Sequence, residues 1–231
     1  MTERLVPVPG QTQASPKGDA AAERLLDAAE RLFAERGVDG TSVRDIAASA
    51  GQRNTNAVGY YFGSKAKLVL AVVQRRWPAI DARRMELLAQ GDGSARDVVA
   101  AMLVPLAELL AQPSGRYYAP FLRRLRAPDT RGHTDRLARD ASSYLHAAAL
   151  LGPLLGDLPP QVKELRVLAL RHQLIDEVAF WSSRMDSTGG DAAFDLRLSV
   201  ANLLDTAVAA LVAPCSTETI DALASPPDRS G

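Results

Sequence analysis

The apolar positions of this chain recur three and four residues apart, which is the spacing that places side chains on one face of a helix. In the stretch 42–50, for example, Val43, Ile46, Ala47 and Ala50 share a face. Glycine, proline and polar residues separate one such stretch from the next. The predicted helices are 19–36, 42–50, 55–62, 65–88, 94–111, 116–126, 134–151, 160–186 and 192–212. An all-α fold is therefore predicted.

The sharpest local signals lie between residues 41 and 65. Ser42 with Asp45 forms a weak version of the capping box, and Gly51 suits the left-handed end of a helix. Asn54 is predicted to cap the next helix and Ser64 the one after it. That middle helix leaves hydrogen-bonding side chains outside, of the types that read base edges and grip phosphates. They are Gln52, Arg53, Thr55, Asn56, Tyr60 and Tyr61.

Composition narrows the class of protein. Apolar residues make up 47% of 231, enough for a sizeable core, and alanine and leucine outweigh β-branched and aromatic residues. The single Cys215 excludes an internal disulfide and a cysteine-based zinc site. The three histidines have no ligand-like spacing, so neither a metal nor a cofactor is expected. Without a long uncharged apolar run or a signal-peptide pattern, the expectation is a cytoplasmic protein that does not enter a membrane.

Charge is balanced overall but not locally. The chain has 27 basic and 27 acidic residues, so a nucleic-acid site would have to be a local basic patch. Such a patch is indicated between residues 50 and 76, where there is no Asp or Glu. The basic residues of that run are Arg53, Lys65, Lys67, Arg75 and Arg76.

Two segments carry a resemblance to a known family. They are TSVRDIAASAG at 41–51 and YYFGSK at 60–65, and with the helix 19–36 before them they resemble the TetR family of bacterial repressors. The resemblance covers about residues 19–72. Gly51 and Phe62 are one residue further apart than in most members, which places an extra residue in the turn at Gln52 and Arg53. Gly59 also stands where many members have tyrosine.

The resemblance implies an all-helical homodimer. Three N-terminal helices would bind the major groove of a double-stranded operator, and a larger C-terminal domain would bind a small-molecule effector. Effector binding would move the fourth helix and release the operator. Positions matching the family's DNA contacts are Ser42, Arg44, Asn54, Thr55, Asn56, Tyr60, Tyr61 and Lys65, and Arg53 is added for its charge. The expected units are a tail at 1–17, a DNA-binding domain at 18–65, a ligand-binding and dimerisation domain at 66–213 and a flexible tail at 214–231.

The larger domain offers weaker signals. Several of its side chains combine an apolar body with a polar tip, as pocket-lining residues do, although ordinary core or dimer-surface packing is the better explanation for each one alone. They are Tyr117, Tyr118, Phe121, Arg124, His146, His172 and Trp181. The broad apolar stripes of 160–186 and 192–212 need a partner surface, and predict a four-helix dimer interface. Two alternatives stay open: a helical enzyme or carrier acting on an apolar small molecule, and an activator in place of a repressor.

Overall fold

The computed structural model describes residues 16–125, 142–187 and 194–224. Every regular element in these ranges is helical, which confirms the all-α prediction. The helices are α1 (Pro16–Arg36), α2 (Val43–Ser49), α3 (Ala57–Phe62), α4 (Lys65–Gln90), α5 (Ala95–Glu108), α6 (Tyr118–Leu125), α7 (Ser142–Leu154), α8 (Pro160–Ser187), α9 (Leu196–Val212) and α10 (Thr217–Ala224). A 3-10 turn, Leu109–Ala111, follows α5.

Several predicted boundaries differ from the observed ones. Helix α1 begins at Pro16, within the predicted tail 1–17, and α6 begins at Tyr118, two residues later than expected. Helix α3 begins at Ala57, two residues later than expected. The stretch expected to be a loose tail contains α10, whose residues are mostly exposed. Helix α7 is described from Ser142, so the first part of the predicted helix 134–151 lies outside the described residues. Residues 1–15 of the predicted tail 1–17, the predicted loop at 127–132 and residues 225–231 of the predicted C-terminal tail lie outside them too.

Helix α4 runs unbroken for 26 residues with Pro78 inside it. Proline supplies no N–H for the carbonyl one turn earlier, which belongs to Gln74. Gln74 is exposed, so water can satisfy that carbonyl at little cost. The proline was expected to kink the helix or mark a join between two; the chain continues as one helix from the N-terminal unit into the larger domain.

The N-terminal helices and the larger domain share one apolar core. Helix α6 packs against both α1 and α8. Phe33 of α1 stacks on Phe121 of α6 with ring centroids 5.8 Å apart, and both side chains are fully buried. Tyr118, also buried, donates a hydrogen bond of 3.0 Å to the Val73 carbonyl of α4. Helix α6 therefore joins the two helices that lead into the N-terminal unit.

Arg124, near the C-terminal end of α6, binds the end of α1. Its Nε donates to the Ala34 carbonyl at 2.8 Å and its Nη2 to the Glu35 carbonyl at 2.9 Å. The last carbonyls of a helix have no partner within the helix and carry the negative end of its dipole, so a cation suits them. The structure thus gives Arg124 a role at a helix end, whereas the sequence suggested a ligand-binding role.

A pair of arginines fastens α4 to α1. Arg75 pairs with Asp27 and, at 3.8 Å, with Glu23. Arg76 binds both carboxylate oxygens of Glu30, at 3.2 and 3.3 Å, and also donates to the Ser114 carbonyl. Burial raises the pKa of Glu30, and the charge of Arg76 opposes that rise. These cations, counted in the sequence as part of a basic patch, are instead neutralised inside the fold.

Within the described residues, no single helix is apolar and long enough to cross a membrane; α9 with α10, bent by 51°, passes only as a pair, on length and composition.

Candidate nucleic-acid interface

Helix α2 is fixed at its start by a complete capping box. The Ser42 hydroxyl accepts from the Asp45 N–H at 3.1 Å, and the Asp45 carboxylate accepts from the Ser42 N–H at 3.1 Å. The hydrogen bonds from the Ser42 side chain and backbone hold the pKa of Asp45 below its ordinary value. Preceding the cap, buried Thr41 donates to carbonyls of Leu32 and Gly37, so the start of α2 is tied to the end of α1.

Replacing Ser42 with alanine is expected to lower the free energy of unfolding by about 1 kcal/mol, because the cap bond to the Asp45 N–H is lost. The carboxylate of Asp45 then loses its strongest partner, so its pKa should move back up towards the ordinary value. Chemical denaturation and a carboxyl NMR titration measure the two effects. Ser199→Ala, which removes a hydroxyl bonded to a backbone carbonyl outside this unit, is the control. An unchanged pKa of Asp45 would contradict the assignment.

The turn after α2 follows the Schellman pattern. Gly51 has a φ of 67°, its N–H bonds the Ala48 carbonyl at 3.0 Å, and the Gln52 N–H bonds the Ala47 carbonyl at 2.9 Å. Glycine takes this left-handed conformation without steric cost, and the bonds satisfy two carbonyls that the helix leaves unpaired. The left-handed conformation of Gly51 therefore sets the direction in which the chain leaves α2.

The segment from Gln52 to Asn56 forms an extended turn before α3. Asn54 was expected to cap the helix, but its side-chain oxygen accepts from the Asn56 N–H at 2.9 Å, two residues on. This Asx turn competes with helix formation, which explains the later start of α3. Asn56 stands at the N-cap position without a side-chain cap bond. Thr55 and Asn56 are exposed and lie ahead of the helix, where Arg53 is exposed too.

Helix α3 buries one side and exposes the other. Ala57 and Val58 are buried against the neighbouring helices. Tyr60 is 78% exposed and meets the half-buried Tyr61 edge to face, with centroids 4.9 Å apart. The contact with Tyr61 restricts the Tyr60 ring, so that its hydroxyl points away from the core at little further cost in conformational entropy. Tyr60 therefore offers its hydroxyl group to a partner on this surface.

Gly59 leaves room on this exposed side for the Asn56 side chain. A Cβ added at Gly59 would lie 2.6 Å from Asn56 Oδ1. The amide therefore sits over the glycine, and a larger residue at position 59 would have to displace it. Sequence inspection found the unusual glycine but could not show which side chain uses the space.

The start of α4 completes the surface. The Ser64 hydroxyl accepts from the Lys67 N–H at 3.2 Å, and the first turn has no acidic residue. A helix N-terminus with free N–H groups and nearby lysines favours phosphate oxygens. Lys65 is half-buried and Lys67 is exposed. Lys67 was not among the predicted contacts, although it belongs to the same acid-free run.

Four cations without a salt bridge to any described residue lie between the start of α2 and the first turn of α4. Arg75 and Arg76 point to α1, as described above, so they do not add to the surface. Exposed or half-exposed positive charge remains at Arg44, Arg53, Lys65 and Lys67. Together with Thr55, Asn56, Tyr60 and Tyr61 they form the surface that we name the basic face.

The predicted pocket residues do not converge. Tyr118, Phe121 and Trp181 are buried core side chains, Arg124 binds α1, and His146 and His172 are exposed. Burial raises the pKa of Tyr118, which keeps its hydroxyl a donor. Tyr117 is half-buried and lines a cleft of about 340 Å³ beside α1 and Ser114. Another cleft, of about 480 Å³, lies between the loop after α7 and the end of α9, and none of the seven residues lines it.

Comparison with known proteins gives a consistent result. Residues 25–72 match the family model described as bacterial regulatory proteins, tetR family. The HTH-type transcriptional dual regulator CecR of Shigella flexneri is 32% identical over 171 residues, which are 60% of this chain and 76% of that protein.

Solved structures share the fold at lower identity. NalD of Pseudomonas aeruginosa, described as the secondary repressor of the MexAB-OprM multidrug efflux pump, is 21% identical, with 87% of this chain and 100% of that chain covered and a TM-score of 0.60. FadR of Bacillus subtilis in complex with stearoyl-CoA is 19% identical, with 84% and 99% covered and a TM-score of 0.60.

Proposed function

The chain belongs to the TetR family of bacterial regulatory proteins and is a transcriptional regulator rather than an enzyme, and from this premise we propose that it is a repressor released by a small molecule. It binds a palindromic operator as a homodimer. The observation that carries the proposal is the basic face. There, the acid-free first turn of α4 and the polar turn before α3 both carry exposed or half-exposed polar and basic side chains.

The chemistry of the basic face divides into two tasks. Lys65, Lys67 and the Tyr61 hydroxyl suit phosphate oxygens, which hold the protein in register on the duplex without reading sequence. Thr55 and Asn56, at the leading end of α3, suit base edges, since asparagine pairs with adenine and a threonine methyl contacts thymine. Arg53 in the turn reaches either a guanine or a phosphate.

A dimer is supported by the outer side of α8 and α9. Large apolar side chains are exposed along these two helices. A patch of such groups on the surface of a monomer usually marks an interaction site. The exposed side chains are Leu165, Leu168, Phe180, Leu198 and Val212. Two such helices from each protomer make a four-helix bundle, and a two-fold axis through it presents two basic faces to two half-sites.

Support for a small-molecule effector comes from the relatives. The FadR structure with the same fold holds stearoyl-CoA. The sign of regulation is taken from NalD, described as a repressor, whereas CecR is described as a dual regulator. The position of the operator relative to the promoter decides the sign, so activation at some sites is compatible with the same DNA-binding chemistry.

Salt dependence tests the proposal. Purified protein is expected to bind the DNA upstream of its own gene with an affinity that falls steeply as salt rises, because neutralising phosphates releases counterions. Fluorescence anisotropy at several salt concentrations measures the slope. If the protein does not bind this DNA, or if its affinity does not change with salt concentration, the proposed function is wrong.

Two substitutions separate the two tasks. Lys65→Ala should weaken binding to all duplexes alike and reduce the salt slope by about 1 for each protomer, as expected for a lost phosphate contact. Thr55→Ala should relax discrimination at one base position, by about 1–3 kcal/mol, with the slope unchanged. Lys163→Ala on α8, far along the chain from the basic face, is the matched control for charge. If both variants lose overall affinity and base discrimination to the same extent, the division into phosphate contacts and base contacts is wrong.

A further inference from the structure

A polar cluster is buried in the larger domain, between α4 and the start of α7. Arg84 of α4 is only 5% exposed. Its Nη1 donates to Asp81 Oδ1 at 3.2 Å and to the Ser143 hydroxyl, and that hydroxyl in turn donates to the same Asp81 oxygen. One carboxylate oxygen thus serves both the arginine and the serine. Burial lowers the pKa of Arg84, and the charge of Asp81 opposes that change.

A second cation, Arg171, belongs to α8. Tyr144 follows Ser143 in α7, and α7 packs against both α4 and α8. Burial raises the pKa of Tyr144, and the positive charges of Arg171 and Arg84 both oppose the rise. Helices α4, α7 and α8 therefore bring two arginines and a phenol together inside the domain.

The donors of this cluster outnumber its acceptors. The Nε atoms of Arg84 and Arg171 are both buried and have no hydrogen-bond partner in the part of the chain that the structure describes. Among the described residues Asp81 is the one carboxylate that binds Arg84, so the group of Asp81, Arg84 and Arg171 carries a net positive charge. A buried N–H without an acceptor is costly, and native proteins rarely retain one unless a ligand or water uses it.

The geometry points to an oxyanion site here: we propose that Arg84, Arg171 and the Tyr144 hydroxyl bind the carboxylate or phosphate group of the effector. Guanidinium Nε and Nη groups form a planar fork that matches either oxyanion. This inference rests on the proposed function, since it names the chemical class of the effector. It also gives the effector a contact on α4, the helix whose first turn lies in the basic face, so anion binding and DNA binding meet on one element.

Three probes with the same alkyl chain test the site: octanoate, octyl phosphate and octan-1-ol, titrated calorimetrically into the full-length protein. Octanoate or octyl phosphate is expected to bind at least about 10-fold more tightly than the neutral alcohol, because only an oxyanion satisfies the two guanidinium groups. The stronger of the two anions distinguishes a carboxylate effector from a phosphate effector. Equal binding of anion and alcohol, or no binding of either anion, would overturn the site.

Variants locate the binding. Arg171→Met should weaken the anion about 10- to 100-fold and leave the alcohol unchanged, as expected when a charged hydrogen bond is lost. Tyr144→Phe should have a smaller effect in the same direction. Arg83→Met, which removes the same charge from the outer side of α4, should have none. Unchanged anion affinity in Arg171→Met refutes the site, and this variant leaves the Arg84 and Asp81 pair intact.

Operator binding without any probe is measured on the same samples. A protein that binds its operator but does not distinguish octanoate from octan-1-ol retains the proposed function and loses only the oxyanion site. A protein that distinguishes octanoate from octan-1-ol but binds no DNA has the oxyanion site, and the proposed function as a DNA-binding regulator is then wrong.

Discussion

Replacing Arg76 with methionine is expected to lower the free energy of unfolding by about 3–5 kcal/mol. Glu30, which is 1% exposed, would keep a buried carboxylate while losing both bonds to its counterion. Removing one partner of a buried pair costs more than the pair itself contributes, because the remaining charge cannot regain water. Chemical denaturation followed by circular dichroism measures the loss.

The same variant should change how stability depends on pH. Burial already raises the pKa of Glu30 above its ordinary value of about 4.5, and without Arg76 the rise is larger. A carboxyl whose folded pKa exceeds its unfolded one favours the folded state below the unfolded pKa, and that contribution is lost as pH rises through the folded pKa. Arg76→Met should therefore lose stability between mildly acidic and neutral pH, more steeply than the parent protein.

A double variant supplies the control. Glu30→Leu with Arg76→Met removes both charges and should recover most of the stability, since an apolar pair of similar size replaces the ion pair. Its pH dependence should lack the added loss above pH 4.5. If the double variant is as unstable as the single one, the effect comes from lost packing and the charge argument fails.

Placing glutamate at both Leu165 and Leu198 is expected to give a folded monomer that binds the operator about 10²- to 10⁴-fold more weakly. These side chains are 64% and 66% exposed, so a charge there costs the single protomer little. In the proposed dimer the same positions would be buried, and four carboxylates would meet without counterions. A monomer engages one half-site and loses the advantage of simultaneous binding to two.

Sedimentation velocity and DNA binding, measured on the same preparation, check this prediction. Met85→Glu, which places the same charge at an exposed apolar position of α4, is the control and should remain a dimer. A double variant that stays dimeric would place the interface elsewhere. A parent protein that sediments as a monomer would contradict the homodimer itself.

Much of the fold could be predicted because its boundaries rest on local chemistry. Ser42, Gly51 and Ser64 act through neighbours within a few residues, and the structure shows their caps and turns where the sequence indicated them. The hydrogen bond made by Asn54 could not be predicted. A short polar side chain can cap a helix or form an Asx turn, and the sequence does not show which bond forms. That choice moved the start of α3 by two residues.

Contacts between distant parts of the chain could not be predicted. Arg76 and Arg53 look alike in the sequence, yet Arg76 meets a carboxylate 46 residues away while Arg53 stays exposed. Arg84 likewise gives no sign in the sequence that it is buried. Whether a cation faces DNA, a carboxylate or the core depends on how the helices pack, and periodicity specifies only the buried face of each helix.

The bonds from Arg124 to the last carbonyls of α1 restrict how the N-terminal helices can move. Those helices join the rest of the protein along α4, and the Phe33–Phe121 stack and Arg124 attach α1 to α6 as well. The end of α1 is thus bonded directly to α6, so a shift of α6 within the larger domain acts on the N-terminal helices through these two hydrogen bonds as well as through α4.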